Sequence, residues 1–137
     1  MPLLFRIMRR DDDGFPTLGQ SSSTLGVRPG YDVDIDAQGN VVSNGKGMSV
    51  APAWRTISIL RIPKRLKDKV RGASGSNNTF CFKTGVGPFQ AGPVTASLML
   101  VPTSLIHGHV APTQTVPFAQ YEADIGATRL DWQVDEN

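Results

Sequence analysis

The sequence predicts an α+β fold of short, mainly antiparallel strands in small sheets, with one helix near the C-terminus. Three observations predict it. Gly (14 residues) and Pro (10) are more frequent than in ordinary chains, which favours short strands joined by turns. Several short segments alternate with period two. A helical stripe follows Pro117, made of Phe118, Tyr121, Ile125 and Trp132. A chain of 137 residues suits one domain, here residues 1–137, with a core of its own.

The first strand is read over Leu3–Met8. Leu4, Arg6 and Met8 share one face, and Leu3, Phe5 and Ile7 the other. An arginine on such a strand is either an edge residue reaching water by its stem or a guanidinium held in a cleft for an anion. Arg9-Arg10-Asp11-Asp12-Asp13-Gly14 reads as a solvated charged turn, and Thr17–Thr24 as a polar, mobile loop.

The stretch Leu25–Trp54 carries the most positional information. Tyr31–Asp36 alternates apolar with acidic residues and reads as a strand. Ala37-Gln38-Gly39-Asn40 is the turn, and Val41-Val42 starts a return strand. Asp32, Asp34 and Asp36 do not form a calcium loop. With Asp34 first, the twelfth position is Gly45, where a bidentate glutamate is required. The run Asn44-Gly45-Lys46-Gly47-Met48-Ser49-Val50 reads as two turns with a packed serine, or as a ligand cradle that presents the Ser49 hydroxyl.

Arg55–Ile62 alternates and reads as a strand. Pro63 opens a possible short helix over 64–70, with Leu66 and Val70 four apart. Seven of the 14 Lys and Arg residues fall between Arg55 and Arg71. Such a run is a solvated face or a contact for an acidic partner. No aromatic residue is interleaved in it, which argues against single-stranded nucleic acid. Gly72–Asn78 reads as a flexible connector, and Thr79–Lys83 and Ala96–Val101 as strands. The acidic tail Asp131–Asn137 is expected to fray.

Composition sets further bounds. The net charge of +2 does not demand a nucleic-acid partner. The single cysteine, Cys81, excludes an intrachain disulfide and reads as a buried structural thiol. No run approaches a membrane span, and Met1–Arg6 is too short for a signal peptide, so a cytoplasmic setting is expected. Action elsewhere would require another delivery route. His107 and His109 can both touch one metal, but no third ligand stands nearby in sequence, so no metal is assigned. A cleft histidine acting as donor or base is the stronger reading. Nucleophile-elbow, phosphate-loop and dinucleotide fingerprints are missing, and the only glutamates are Glu122 and Glu136.

What remains is a set of single residues on separate segments: Phe5-Arg6, then Leu25-Gly26-Val27-Arg28 with Asp34, then Gly45-Lys46-Gly47-Met48-Ser49-Val50, then His107 before a Pro-containing segment, and a helix ending on Trp132. In that order they resemble the ADP-ribosyltransferase-like toxins delivered by type VI secretion. The resemblance implies an ADP-ribosyltransferase-like fold whose cleft holds NAD as substrate. It also implies action on an intracellular target and a cognate immunity protein as a possible partner. Arg6, Arg28, Gly47 and Ser49 would bind NAD, with Ser49 and His107 (or His109 in its place) serving the chemistry at the ribose. The chain departs from the transferase pattern in having no glutamate on a strand at the expected place; Asp34 is the substitute to consider. The alternative is a non-enzymatic protein- or nucleotide-binding domain of the same fold, with residues 55–71 as its contact face.

Overall fold

Leu4–Arg9 forms a strand, β1, because its alternating large apolar side chains can bury both faces at once. The computed structural model describes all 137 residues, Met1–Asn137. β1 pairs antiparallel with β4 (Thr79–Thr84), Leu4 opposite Thr84 and Arg9 opposite Thr79. β9 (Gln133–Val134) adds to the far side of β4, with Val134 opposite Phe82. The second sheet runs β3 (Met48–Val50), β7 (Gly108–Pro112), β6 (Leu98–Pro102), β5 (Gly92–Pro93), every neighbour antiparallel. A short pair, β2 (Asn40–Val41) with β8 (Val116–Pro117), leads into the helix α1 (Phe118–Gly126). The architecture is α+β, mostly antiparallel, with one C-terminal helix. No helix is long and apolar enough to cross a membrane.

The first sheet lies between two apolar clusters, and the alternation on β1 decides which side chain joins which. Leu4 and Met8 enter the larger cluster with Phe82, Met48, Leu98, Leu100, Tyr121 and Trp132. Phe5 and Ile7 enter the smaller one with Trp54, Ile62, Leu66 and Cys81, and Leu3 packs against it. The facing expected for residues 3–8 is therefore observed, as is the burial of Cys81. On α1, Tyr121 and Ile125 are buried. The Tyr121 hydroxyl donates to the Val110 carbonyl (2.6 Å) and accepts from the Met48 amide (3.1 Å), tying the helix to β7 and β3. Trp132 joins the same core from beyond the helix, after a 3-10 turn at Arg129–Asp131.

Four local readings are corrected. Residues 31–36 form turns and single bridges rather than a strand. Gly30 takes φ +80° and Asp32 folds back onto Arg28, so only Val33 and Ile35 touch neighbouring backbone in strand fashion. Residues 55–62 are a 3-10 turn followed by a tight loop, closed by Arg61 N–H to the Ser58 carbonyl, with Ile59 and Leu60 left exposed. Lys64–Leu66 is one 3-10 turn, not a longer helix. The acidic tail is fastened rather than frayed: β9 pairs with β4, Asp135 meets Lys83 at 2.7 Å, and Glu136 meets Arg65 at 2.6 Å.

Candidate functional site

The two sheets meet at one antiparallel bridge, Phe5 with Ala51, made of two backbone hydrogen bonds of 2.8 and 2.9 Å. Beyond that bridge no backbone hydrogen bond joins the two strands. Arg6 joins them by its side chain, Nη1 donating to the Ser49 carbonyl at 2.8 Å. Its Nε and Nη2 donate to the Thr24 carbonyl (3.1 and 2.9 Å), and Nη2 also reaches the Gly26 and Ser21 carbonyls. The side chain sits between Leu4 and Met8 on the larger core's face, and the residue is 4 % exposed. Burial, and after it the charge of Arg61, lowers its pKa to about 10. It remains a cation at neutral pH. Of its two Nη1 protons, one has no protein acceptor.

A cavity of about 280 Å³ opens beside the bridge of Phe5 with Ala51. Its polar lining is Arg6, Ser49, Thr56, Ser58, Arg61 and His107, and Phe5, Ile7, Val50, Ile57 and Ile106 form most of its apolar walls. The Ser49 carbonyl is engaged by Arg6, whereas its hydroxyl makes no hydrogen bond within the protein. His107 shares a 2.7 Å hydrogen bond with the Thr103 hydroxyl through Nδ1, and its ring lies 5.0 Å from that of His109, edge to face. Partial burial and the neighbouring His109 lower the His107 pKa, so the ring is neutral at pH 7. His109 contacts the Gly45 carbonyl at 3.3 Å. The histidine pair gains no third ligand, as no His, Cys, Asp or Glu joins it to make a set of three.

Three of the residues singled out from sequence, Arg6, Ser49 and His107, therefore meet in one cleft. Gly47 and Arg28 do not line it. A Cβ on Gly47 would stand 2.0 Å from the Val110 carbonyl oxygen, so this glycine serves the close approach of the β3 lead-in to β7. Arg28 lies on the surface, bonded to Asp32 at 2.9 Å. Asp34 is held outside the cleft by Lys46 (3.1 Å) and Asn44 (2.8 Å). Glu122 accepts from Gln20, and Glu136 is bound to Arg65. The lining contains no carboxylate.

Arg61 is the site residue that sequence reasoning missed. Read as part of a strand, it fell on the face of Ile57 and Ile59; the turn at residues 58–61 instead brings it to the edge of the cleft, and its Nη2 donates to the Ser22 carbonyl on the far side. Burial, then the charge of Arg28, lowers its pKa. The loop Thr17–Thr24, read from sequence as mobile, is fastened at its seryl end, Ser21–Thr24 (the seryl loop): Arg6 and Arg61 hold its carbonyls, and the Arg9 amide donates to the Ser23 carbonyl (2.7 Å). Compared with family models, curated proteins and solved structures, the chain finds no match.

Proposed function

We propose that the cleft binds one end of NAD, or of a nucleotide of that class, and that the protein is a toxin acting in a cytoplasm on an intracellular target. The observation that carries this reading is the convergence of Arg6, Ser49, Arg61 and His107, from four separate segments, on one apolar-walled cavity. Guanidinium N–H groups suit a pyrophosphate or ribose oxygen. The free Ser49 hydroxyl and the neutral His107 ring suit ribose hydroxyls, and the isoleucines suit a flat base. A volume of about 280 Å³ is at the small end for ligand sites, so the rest of a dinucleotide would lie across the open mouth. Of the residues the ADP-ribosyltransferase-like resemblance names, Arg6, Ser49 and His107 line the cleft, and Arg28 and Gly47 do not. ADP-ribosyl transfer would break the bond between nicotinamide and ribose C1′. Nicotinamide would leave with the electron pair, and a nucleophile on the target would take C1′.

One observation favours a second reading. A developing positive charge on the ribose is stabilised by a nearby carboxylate, and none lines the cleft. A nucleotide-binding domain without transfer fits that lining. Calorimetric titration with NAD, followed by analysis for free nicotinamide, separates the two. Heat that is lost in Ser49→Ala and Arg61→Gln, together with nicotinamide release, supports the transferase. Heat without release supports the binding domain. No heat up to millimolar NAD overturns both. Growth arrest on expression in a bacterial cytoplasm tests the toxin reading separately, and harmless expression would count against it.

A further inference from the structure

On the other side of Arg61 lies a second concavity, of about 360 Å³. Its lining differs in kind from that of the cleft, with Ile7 as the one apolar residue. Arg9, Arg61, Ser22, Ser23, Asn78 and Thr79 supply most of the rest. Four segments bring them together, the turn at residues 58–61 supplying Arg61. The end of β1 contributes Arg9, whose amide is bonded to Ser23. The seryl loop is fixed by Arg6 and Arg61. The lead-in to β4 is held against residues 61–64 by Gly75, whose amide donates to the Ile62 carbonyl at 2.7 Å and whose carbonyl accepts from Lys64. A Cβ at Gly75 would stand 2.4 Å from the Arg61 carbonyl oxygen, so the approach requires glycine.

The free groups that remain are chiefly donors. The Arg9 guanidinium has no hydrogen-bond or ion-pair partner, and Arg61 spends only one Nη2 donation, on Ser22. The Ser22 hydroxyl is unengaged, and the Asn78 side-chain amide nitrogen makes no bond, its oxygen being occupied by Ser76. No carboxylate lines the concavity. Asp32, the acid whose charge reaches Arg61, is committed to Arg28. Two forked guanidinium groups beside a hydroxyl and an amide, with no internal counter-charge, match the oxygens of a phosphate group.

We propose that this concavity is a phosphate-binding site, distinct from the cleft and joined to it through Arg61, that takes a phosphorylated small molecule. The site stands whether or not the cleft holds NAD. Its ligand would lie next to whatever the cleft binds, with Arg61 between the two.

The test is titration of the isotopically labelled full chain with inorganic phosphate and with ribose 5-phosphate, followed by amide NMR. Shifts are expected at Ser22, Ser23, Asn78 and Thr79. Arg9→Gln, which removes an exposed side chain with no protein partner, should weaken binding by about tenfold, the effect of one charge-assisted contact. Ser49→Ala lines only the cleft and should leave the affinity unchanged. Tighter binding of ribose 5-phosphate than of phosphate supports a phosphorylated small molecule as the ligand, and binding no tighter than that of the free ion overturns that ligand class. Shifts confined to the Ser49 and His107 region, unaltered binding in Arg9→Gln, or no shifts up to tens of millimolar would overturn it.

Discussion

Arg6 holds the carbonyls of Ser21, Thr24, Gly26 and Ser49 with one guanidinium, and it does so between two core side chains. Its role in the fold is thus inseparable from its place in the cleft. Arg6→Met keeps the stem and leaves those oxygens without a donor, at a cost of about 3 kcal/mol, seen as a lower urea midpoint. Loss of activity in an Arg6 variant would therefore not identify a binding residue; Ser49 and Arg61 are the cleaner probes. The sequence showed Arg6 as anomalous, because a charge among alternating apolar residues can be read from pattern alone. It did not show that backbone carbonyls would engage it, since those partners lie 15 to 43 positions away. Cys81 makes a second case. Burial, then the nearby Glu136 carboxylate, raises its thiol pKa to about 12. The native protein should resist iodoacetamide at pH 7 and react once unfolded, and fast labelling of the folded chain would contradict that burial.

Among the elements, the last strand departs furthest from expectation. Nothing local in Gln133–Val134 marks it as β, because its partner is Phe82, some fifty residues earlier. Pairing at such separation leaves no periodic signal in a two-residue strand. Its anchor is Glu136, which receives a bidentate contact from Arg65 (2.6 and 2.7 Å) and the Cys81 amide at 3.2 Å. Burial opposes the charged form, but the Arg65 contacts and the amide outweigh it, and the Glu136 pKa lies below the ordinary glutamate range. Its stabilising contribution is full above the unfolded-state pKa and is lost as pH falls through the lower folded-state value. Glu136→Gln should cost about 1–2 kcal/mol at pH 7, and the gap from the parent should narrow under acid in denaturant titrations at both pH values. The loop at 57–62 misled for another reason: Ile57, Ile59 and Arg61 alternate as a strand would, yet Ile59 and Leu60 face water. Alternation is a burial signal only where both sides of the chain find neighbours. β3 offers a direct test of packing. Gly47→Ala drives a Cβ into the Val110 carbonyl and should cost at least about 3 kcal/mol, read from thermal unfolding. Gly39→Ala, at φ +80° with open space around it, should cost about 1 kcal/mol.

Across the whole molecule the charges sort themselves. Asp11, Asp13, Asp32, Asp34, Asp135 and Glu136 each meet a cation, whereas Arg9, Arg55, Arg61, Lys64, Lys67 and Arg71 meet no carboxylate. Within segment 55–71, Arg55, Arg61, Arg65 and Lys69 donate to other residues of the chain, whereas Lys64, Lys67 and Arg71 make no side-chain bond, so the fold does not depend on all of them. Lys64→Gln with Lys67→Gln should leave the melting temperature within about 2 °C, measured by calorimetry. A large loss would mean that these exposed lysines support the fold. The class of architecture was legible from turn content and alternation. The cleft was legible only as scattered residues, because the end of backbone pairing after Phe5 and Ala51 is a property of two strands and of neither alone. That joint also has a consequence for hydrogen exchange. Two backbone hydrogen bonds and the Arg6 side chain tie the strands together at the edge of the cleft. A guest that drew Arg6 away from the Ser49 carbonyl would remove one of these ties. The Phe5 and Ala51 amides would then exchange with deuterium faster, making these two protons a gauge of what the protein holds.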